Sequence, residues 1–188
     1  MSTKAIIFDC YGVLYLTAHQ SLAERWPQHA REILNIRQQA DYGMLSRQEY
    51  IESISKLVGA DTETVANISS LSHTLNHPLI AYIEKELKPH YKIGMLSNIG
   101  RGWIQNMFDE YLLEDVFDVV VQSGDEGITK PHPRAFDLTA EKLEFEPEEC
   151  VMIDDLPENI AGADAAGMHG VVYGNLYDLK KELSKLLK

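Results

Sequence analysis

Five short apolar runs constrain the architecture: KAIIFD at residues 4–9, KIGMLS at 92–97, FDVVV at 117–121, CVMID at 150–154 and GVVYG at 170–174. All are rich in Ile, Val or Met, and they are near-continuous rather than alternating. That is the pattern of parallel strands covered on both faces. Helix-length stretches at 98–112, 131–143 and 157–168 separate the last four runs. Strands alternating with helices predict an α/β fold, a doubly wound parallel five-stranded sheet.

The gap between the first and second runs, from about residue 14 to residue 91, is far too long for one crossover and shows no strand pattern. It predicts an inserted helical cap, with helices at 18–26, 28–41, 47–57 and 62–75. A further core helix at 78–87 leads back to the sheet. Pro27 separates the first pair, Gly43 stops the second helix, and Ser46 with Glu49 forms a capping box for the third. The expected organisation is a catalytic core of residues 1–14 and 78–188 with a cap of residues 15–77. A length of 188 residues suits one domain with one such appendage.

Charge narrows the partners. With 17 Lys and Arg against 29 Asp and Glu, the net charge is −12, and such a chain repels nucleic-acid backbones and anionic membranes. The C-terminal lysines 180, 181, 185 and 188 alternate with leucines, as on the wet face of a terminal helix. The opening MSTKAIIFDC is too short an apolar run for a signal peptide, and no run approaches membrane-spanning length. Cys10 and Cys150 lie in or beside strands, so neither a disulfide framework nor a thiolate zinc site is expected, and the setting reads as cytoplasmic. His73 and His77 have i, i+4 spacing but no third ligand, and are expected to be solvated. Trp103, Met107 and Phe108 are expected on the buried face of the second core helix.

Polar residues stand where the strands end: Asp9 after IIF, Ser97 after IGML, Lys130 after the third strand, and Asp154 with Asp155 after CVMI. In an open α/β sheet the site lies at the carboxyl ends of the strands, beside the switch point. A strand order 3-2-1-4-5 makes the first and fourth strands neighbours at ~4.8 Å, so three carboxylates share one crevice. Lys130 supplies one positive charge, and a divalent cation would balance the rest. Oxygen-only ligation favours Mg²⁺, with a main-chain carbonyl and amides available in the turn of the fragment Asp9 to Leu14 for a metal and an anion.

These segments resemble the four motifs of the haloacid dehalogenase superfamily. FDCYGVL is similar to motif I, MLSN at 95–98 to motif II, Lys130 within GITKPHPRAF to motif III, and MIDDLPENIAGADAAGM to motif IV. The resemblance extends over the whole chain and includes a helical insertion where the superfamily's first cap class has one. It implies that Asp9 is the nucleophile, that Ser97 and the Asn98 backbone hold the phosphoryl oxygens, and that Lys130 neutralises nucleophile and phosphate. Asp154 and Asp155 then place magnesium together with Asp9 and Tyr11, and Asn159 orders the motif IV loop. One position departs from the phosphatase pattern: Tyr11 stands where those enzymes carry a second, acid-base aspartate. The haloacid dehalogenases have tyrosine there, yet they lack the paired acids of motif IV. The implied function is a magnesium-dependent phosphohydrolase acting on a small phosphorylated metabolite through an aspartyl-phosphate. A 2-haloacid dehalogenase-type hydrolase and a non-catalytic phosphate-binding or partner-binding protein are the alternatives.

Overall fold

The computed structural model describes residues 2–17, 21–71 and 73–187. Five parallel strands form the sheet: β1 (Ala5–Phe8), β4 (Lys92–Ser97), β5 (Val119–Gln122), β6 (Cys150–Asp154) and β7 (His169–Val172). Their order is β5-β4-β1-β6-β7, the doubly wound arrangement with the switch point between β1 and β6. Phe8 is in register with Met95 on one side and Ile153 on the other, so the residues after β1, β4 and β6 emerge together.

The continuous apolar character of β1 follows from its position. Ile6 and Phe8 pack into one core cluster, with Leu79, Ile83 and Leu183, while Ala5 and Ile7 pack into the other, with Phe136, Ala140 and Ala163. Alternate side chains thus meet different helix layers, and each buried Ile or Phe contributes about 1.5–3 kcal/mol. The layers come from α5 (His77–Tyr82) and α9 (Leu176–Leu186) on one face and from α7 (Pro133–Leu143) and α8 (Pro157–Ala165) on the other. In α9, Leu179 and Leu183 are buried while Lys180, Lys181 and Lys185 are exposed, as the C-terminal pattern predicts. Among the described residues no helix is long and apolar enough to cross a membrane.

The insertion differs from the sequence expectation in one respect. It is closed by an antiparallel ribbon of β2 (Tyr15–Thr17) and β3 (His73–Leu75), where no strand was expected. Three-residue strands are too short to display a period, and their pairing joins positions that lie far apart in sequence. The helix expected to reach residue 75 therefore ends with α4 (Thr62–Leu71). His73 and His77 accordingly lie on different elements, and their apparent helical spacing has no structural meaning; His77 is exposed.

Ahead of α4 come α1 (Leu22–Arg25), α2 (Ala30–Asp41) and α3 (Arg47–Val58). Part of the helix expected at 18–26 lies outside the described residues. Ser46 and Glu49 do form the capping box of α3, and Gly43 follows α2 with φ +74°. Residues 27–29 form a 3₁₀ turn before α2, and residues 83–87 a π turn after α5.

The second core helix, expected at 98–112, is largely replaced by irregular chain with a 3₁₀ turn at Ile104–Asn106 and a π turn at Leu112–Val116. Neighbouring chain takes its first backbone groups: Ile99 N–H donates to Ser123 Oγ (2.9 Å), and Ile99 C=O accepts from Gly124 N–H (3.0 Å). Gly102 then turns left-handed at φ +72°. Trp103 and Phe108 are nevertheless buried and Met107 partly so, because apolarity rather than helical phase places them. The helix expected from residue 131 begins instead at Pro133, capped by His132 and preceded by a cis Lys130–Pro131 bond.

Candidate active site

Asp9 is the first residue beyond β1. Its N–H continues the ladder to Ile153 C=O (2.9 Å), which draws its carboxylate beside the end of β6. The side chain is 6% exposed, and Oδ1 accepts from Cys10 N–H at 2.7 Å and from Lys130 Nζ at 2.7 Å. Burial pushes the carboxyl up to about 6 despite Lys130, with Asp154 adding to the rise.

Asp154, the last residue of β6, is fully buried and surrounded by donors. Oδ1 accepts from Leu156 N–H (3.0 Å) and Asn159 Nδ2 (2.9 Å); Oδ2 accepts from Lys130 Nζ (2.5 Å) and Asn159 Nδ2 (3.0 Å). Asn159, in the first turn of α8, thus clamps the carboxylate. Lys130 is 3% exposed and bridges Asp9 and Asp154. Burial opposes its charge, but the two carboxylates outweigh burial and hold the ammonium above its ordinary value. Its backbone is fixed in turn by Asn98, whose Oδ1 accepts from Lys130 N–H (2.8 Å) and whose Nδ2 donates to Lys130 C=O (2.9 Å).

Asp155 is half-buried, and burial with the neighbouring Asp154 raises its carboxyl. Its carboxylate lies against Gly12, where a Cβ would stand 2.2 Å from Oδ2, and Gly12 also has φ +82°. Only glycine satisfies both conditions. One oxygen from each of Asp9, Asp154 and Asp155 falls within a 4.8 Å cluster. A set of carboxylate oxygens, with one lysine in contact, fits a hard divalent cation. Beside it at the end of β4, Ser97 Oγ is buried with no hydrogen-bond partner among the described residues, an arrangement that suits an incoming oxygen ligand.

Tyr11 is placed differently. Its hydroxyl donates to Met107 Sδ (3.3 Å), and its ring carries the Arg37 guanidinium 4.9 Å from the centroid. Burial drives the phenol up to about 12, so it is protonated at neutral pH. The structure thus gathers Asp9, Lys130, Asp154, Asp155 and Asn159, sets Ser97 beside them, and directs the Tyr11 hydroxyl to Met107, with Arg37 of the insertion over its ring.

Several residues of that insertion carried no sequence signal. Arg37 pairs with Asp41 (2.9 Å) and lies 5.6 Å from the Trp103 ring, which Tyr50 meets edge-on at 4.8 Å. A cavity of about 250 Å³ is walled by Tyr11, Tyr15, Trp103 and Met107 and by Arg47, Ser69 and Ser70. The insertion is seated on the core where Ser123 Oγ, in α6 (Ser123–Glu126), donates to Asp41 C=O (2.5 Å). There a Cβ on Gly43 would stand 2.1 Å from Gly124 O, so this glycine is a contact point as well as a helix stop.

The chain is similar to known proteins. Pyrophosphatase PpaX of Bacillus cereus is 30% identical over 112 residues, 56% of this chain and 52% of that protein. The match thus spans about half the length of that relative. Acyl-CoA dehydrogenase family member 10 of Mus musculus is 42% identical over 71 residues, 38% of this chain but 7% of that protein. Among solved structures, a HAD family enzyme of Bacteroides thetaiotaomicron, crystallised with magnesium and inorganic phosphate, superposes with a TM-score of 0.81. It is 20% identical, with 95% of this chain and 99% of that one covered. The L-2-haloacid dehalogenase of Xanthobacter autotrophicus has the same fold at a TM-score of 0.64, 23% identity and 97% and 83% coverage. The family model for haloacid dehalogenase-like hydrolases matches residues 3–167, and with that span the chain belongs to the haloacid dehalogenase-like hydrolase family.

Proposed function

We propose that this hydrolase is a magnesium-dependent phosphohydrolase that cleaves a small phosphorylated metabolite through an aspartyl-phosphate on Asp9, with residues 15–77 acting as a cap over the crevice. The observation that carries the reading is the convergence of Asp9, Asp154 and Asp155 within 4.8 Å around Lys130. Asp9 Oδ1 is held by Cys10 N–H and Lys130, which leaves Oδ2 to attack phosphorus. The P–O bond to the leaving group breaks as the acyl phosphate forms; water then attacks phosphorus, releasing phosphate and restoring the carboxylate. Lys130 offsets charge on Asp9 and on the transferring group, and Ser97 Oγ and the Asn98 backbone receive phosphoryl oxygens. Asp9, Asp154, Asp155 and the main chain at Tyr11 would hold magnesium. When bound, the ion supplies the positive charge that lets a phosphate dianion approach three carboxylates. The pyrophosphatase relatives and the magnesium- and phosphate-bound neighbour support this chemistry.

Tyr11 is the feature shared with a dehalogenase reading. It is outweighed by the Asp154–Asp155 pair, whose charge would oppose both a carboxylate substrate and halide departure. The test is a rate assay on aryl, acyl and sugar phosphates, pyrophosphate and 2-haloacids, with Mg²⁺ and in excess EDTA. Phosphate release that disappears in EDTA and returns with Mg²⁺ is expected. Undiminished turnover by verified metal-free protein, or release of halide instead, overturns the proposal.

A further inference from the structure

The cavity bounded by Tyr11, Trp103 and Met107 adjoins the loop that carries Asp9, since Tyr11 lies two residues away and its Cα is at most about 7 Å from that of Asp9. Tyr11, Tyr15, Trp103 and Met107 supply aromatic and apolar lining, and Met107 is held in place twice: Tyr11 donates to its sulfur and Tyr15 to its carbonyl. The rest of the lining is polar and belongs to the insertion, with Arg47 from the first turn of α3 and Ser69 and Ser70 from the last turn of α4.

Arg47 is the cation that lines this cavity. Arg37, Lys92, Arg101, Arg134, Lys142 and Lys185 each have a carboxylate partner, so their charge is already offset. Among the described residues Arg47 forms no ion pair; its Nη2 reaches Ser70 Oγ at 3.4 Å, and Ser70 Oγ itself donates to Ala66 C=O (2.9 Å). A guanidinium presents a planar fork of donors suited to carboxylate or phosphate oxygens. A cavity lined by aromatic rings and a thioether on the one hand, and by an arginine and hydroxyls on the other, matches a ligand with a flat body and an anionic end.

We infer that this cavity receives the leaving group of the substrate, and that Arg47 selects phosphate esters whose leaving group carries a second anionic group. The inference rests on the phosphohydrolase reading and adds the substrate class. The carboxylate and phosphate forms of that group share the same recognition chemistry.

The test uses matched aryl phosphates: 4-carboxyphenyl phosphate, its neutral counterpart 4-carbamoylphenyl phosphate, and 4-phosphonophenyl phosphate for the second anion type. Wild-type kcat/KM with Mg²⁺ should favour the two anionic esters over the carbamoyl ester by roughly tenfold, the value of a partly exposed charged hydrogen bond. The preference should shrink at high ionic strength and collapse in Arg47→Gln, and Arg47→Lys should restore part of it. The same preference is read without turnover as Kd values in Asp9→Asn, with folding of every variant checked by thermal melting. Turnover without a preference, or a preference that survives Arg47→Gln, overturns the Arg47 inference and leaves the phosphohydrolase reading standing. Preferential, Arg47-dependent binding by Asp9→Asn without wild-type turnover keeps the pocket and overturns the reaction. Neither binding nor turnover overturns both.

Discussion

The crevice at the strand ends and the cavity under the insertion are neighbours built on opposite principles. In the crevice, the Asp154 oxygens and the Lys130 ammonium are all engaged, and Asn98 and Asn159 fix the loops that carry them. Such a network holds geometry for charge that develops during reaction, and removing Lys130 from it would leave buried carboxylates without their counter-charge. In the cavity, Arg47 and Ser70 are exposed and share one long hydrogen bond. Little stability depends on them, so they are free to differ with the ligand. The crevice leaves Ser97 Oγ open inside an otherwise fixed network, whereas the cavity fixes few of its polar groups.

The largest expected effect breaks the crevice chemically. Asp9→Asn should fold but lose at least about 10³-fold in kcat, measured as phosphate release with deamidation excluded by mass spectrometry. The same variant reports the electrostatic strain at this site. Because burial raises the Asp9 carboxyl to about 6, the neutral form favours the fold fully below the unfolded value, and that contribution is lost as pH rises through about 6. In EDTA, the Tm of Asp9→Asn relative to wild type should therefore be higher at pH 7.5 than at pH 4, by on the order of a few degrees.

Lys130→Met probes the same region structurally. It keeps the bulk but leaves Asp9 and Asp154 facing each other in a buried place, which should cost about 3–5 kcal/mol in urea unfolding at pH 7.5. Protonation of Asp9 should recover part of that loss near pH 5. An unchanged midpoint would show that the network does not stabilise the fold.

Tyr11 stands at the boundary of the two regions, and Tyr11→Asp sharpens the division. A carboxyl at this position should raise kcat/KM for an alkyl phosphate more than for an aryl phosphate, with the ratio moving about tenfold, because a good leaving group needs little protonation. An equal change on both substrates would assign the phenol a positive part in the reaction. The smallest effect is expected in the cavity: Ser70→Ala should change unfolding free energy by less than about 0.5 kcal/mol. A loss comparable to that of Lys130→Met would erase the contrast between the two regions.

Much of the crevice was legible before any coordinates, and much of the insertion was not. Asp9, Ser97, Asp154 and Asp155 each follow a continuous apolar run, and a carboxylate or hydroxyl at the end of a covered strand is a local signal. The apolar runs themselves report burial on both faces, which is why a five-stranded parallel sheet could be anticipated. The capping box at Ser46 and Glu49 was readable for the same reason, since donor and acceptor lie within one turn.

Only the tertiary structure decided the β2–β3 ribbon, the irregular path after Ser97, the destination of the Tyr11 hydroxyl and the cavity shared by residues 11, 15, 47, 69, 70, 103 and 107. The ribbon depends on pairing across the whole insertion. The chain after Ser97 leaves its helical pattern because Ser123 and Gly124 take the backbone groups of Ile99. Arg47 reads in sequence as an ordinary first-turn residue, and its lack of a carboxylate partner is a property of everything folded around it. Periodicity and strand-end chemistry are carried by adjacent residues and survive in the sequence; a cavity between two folding units exists only once both have formed and docked.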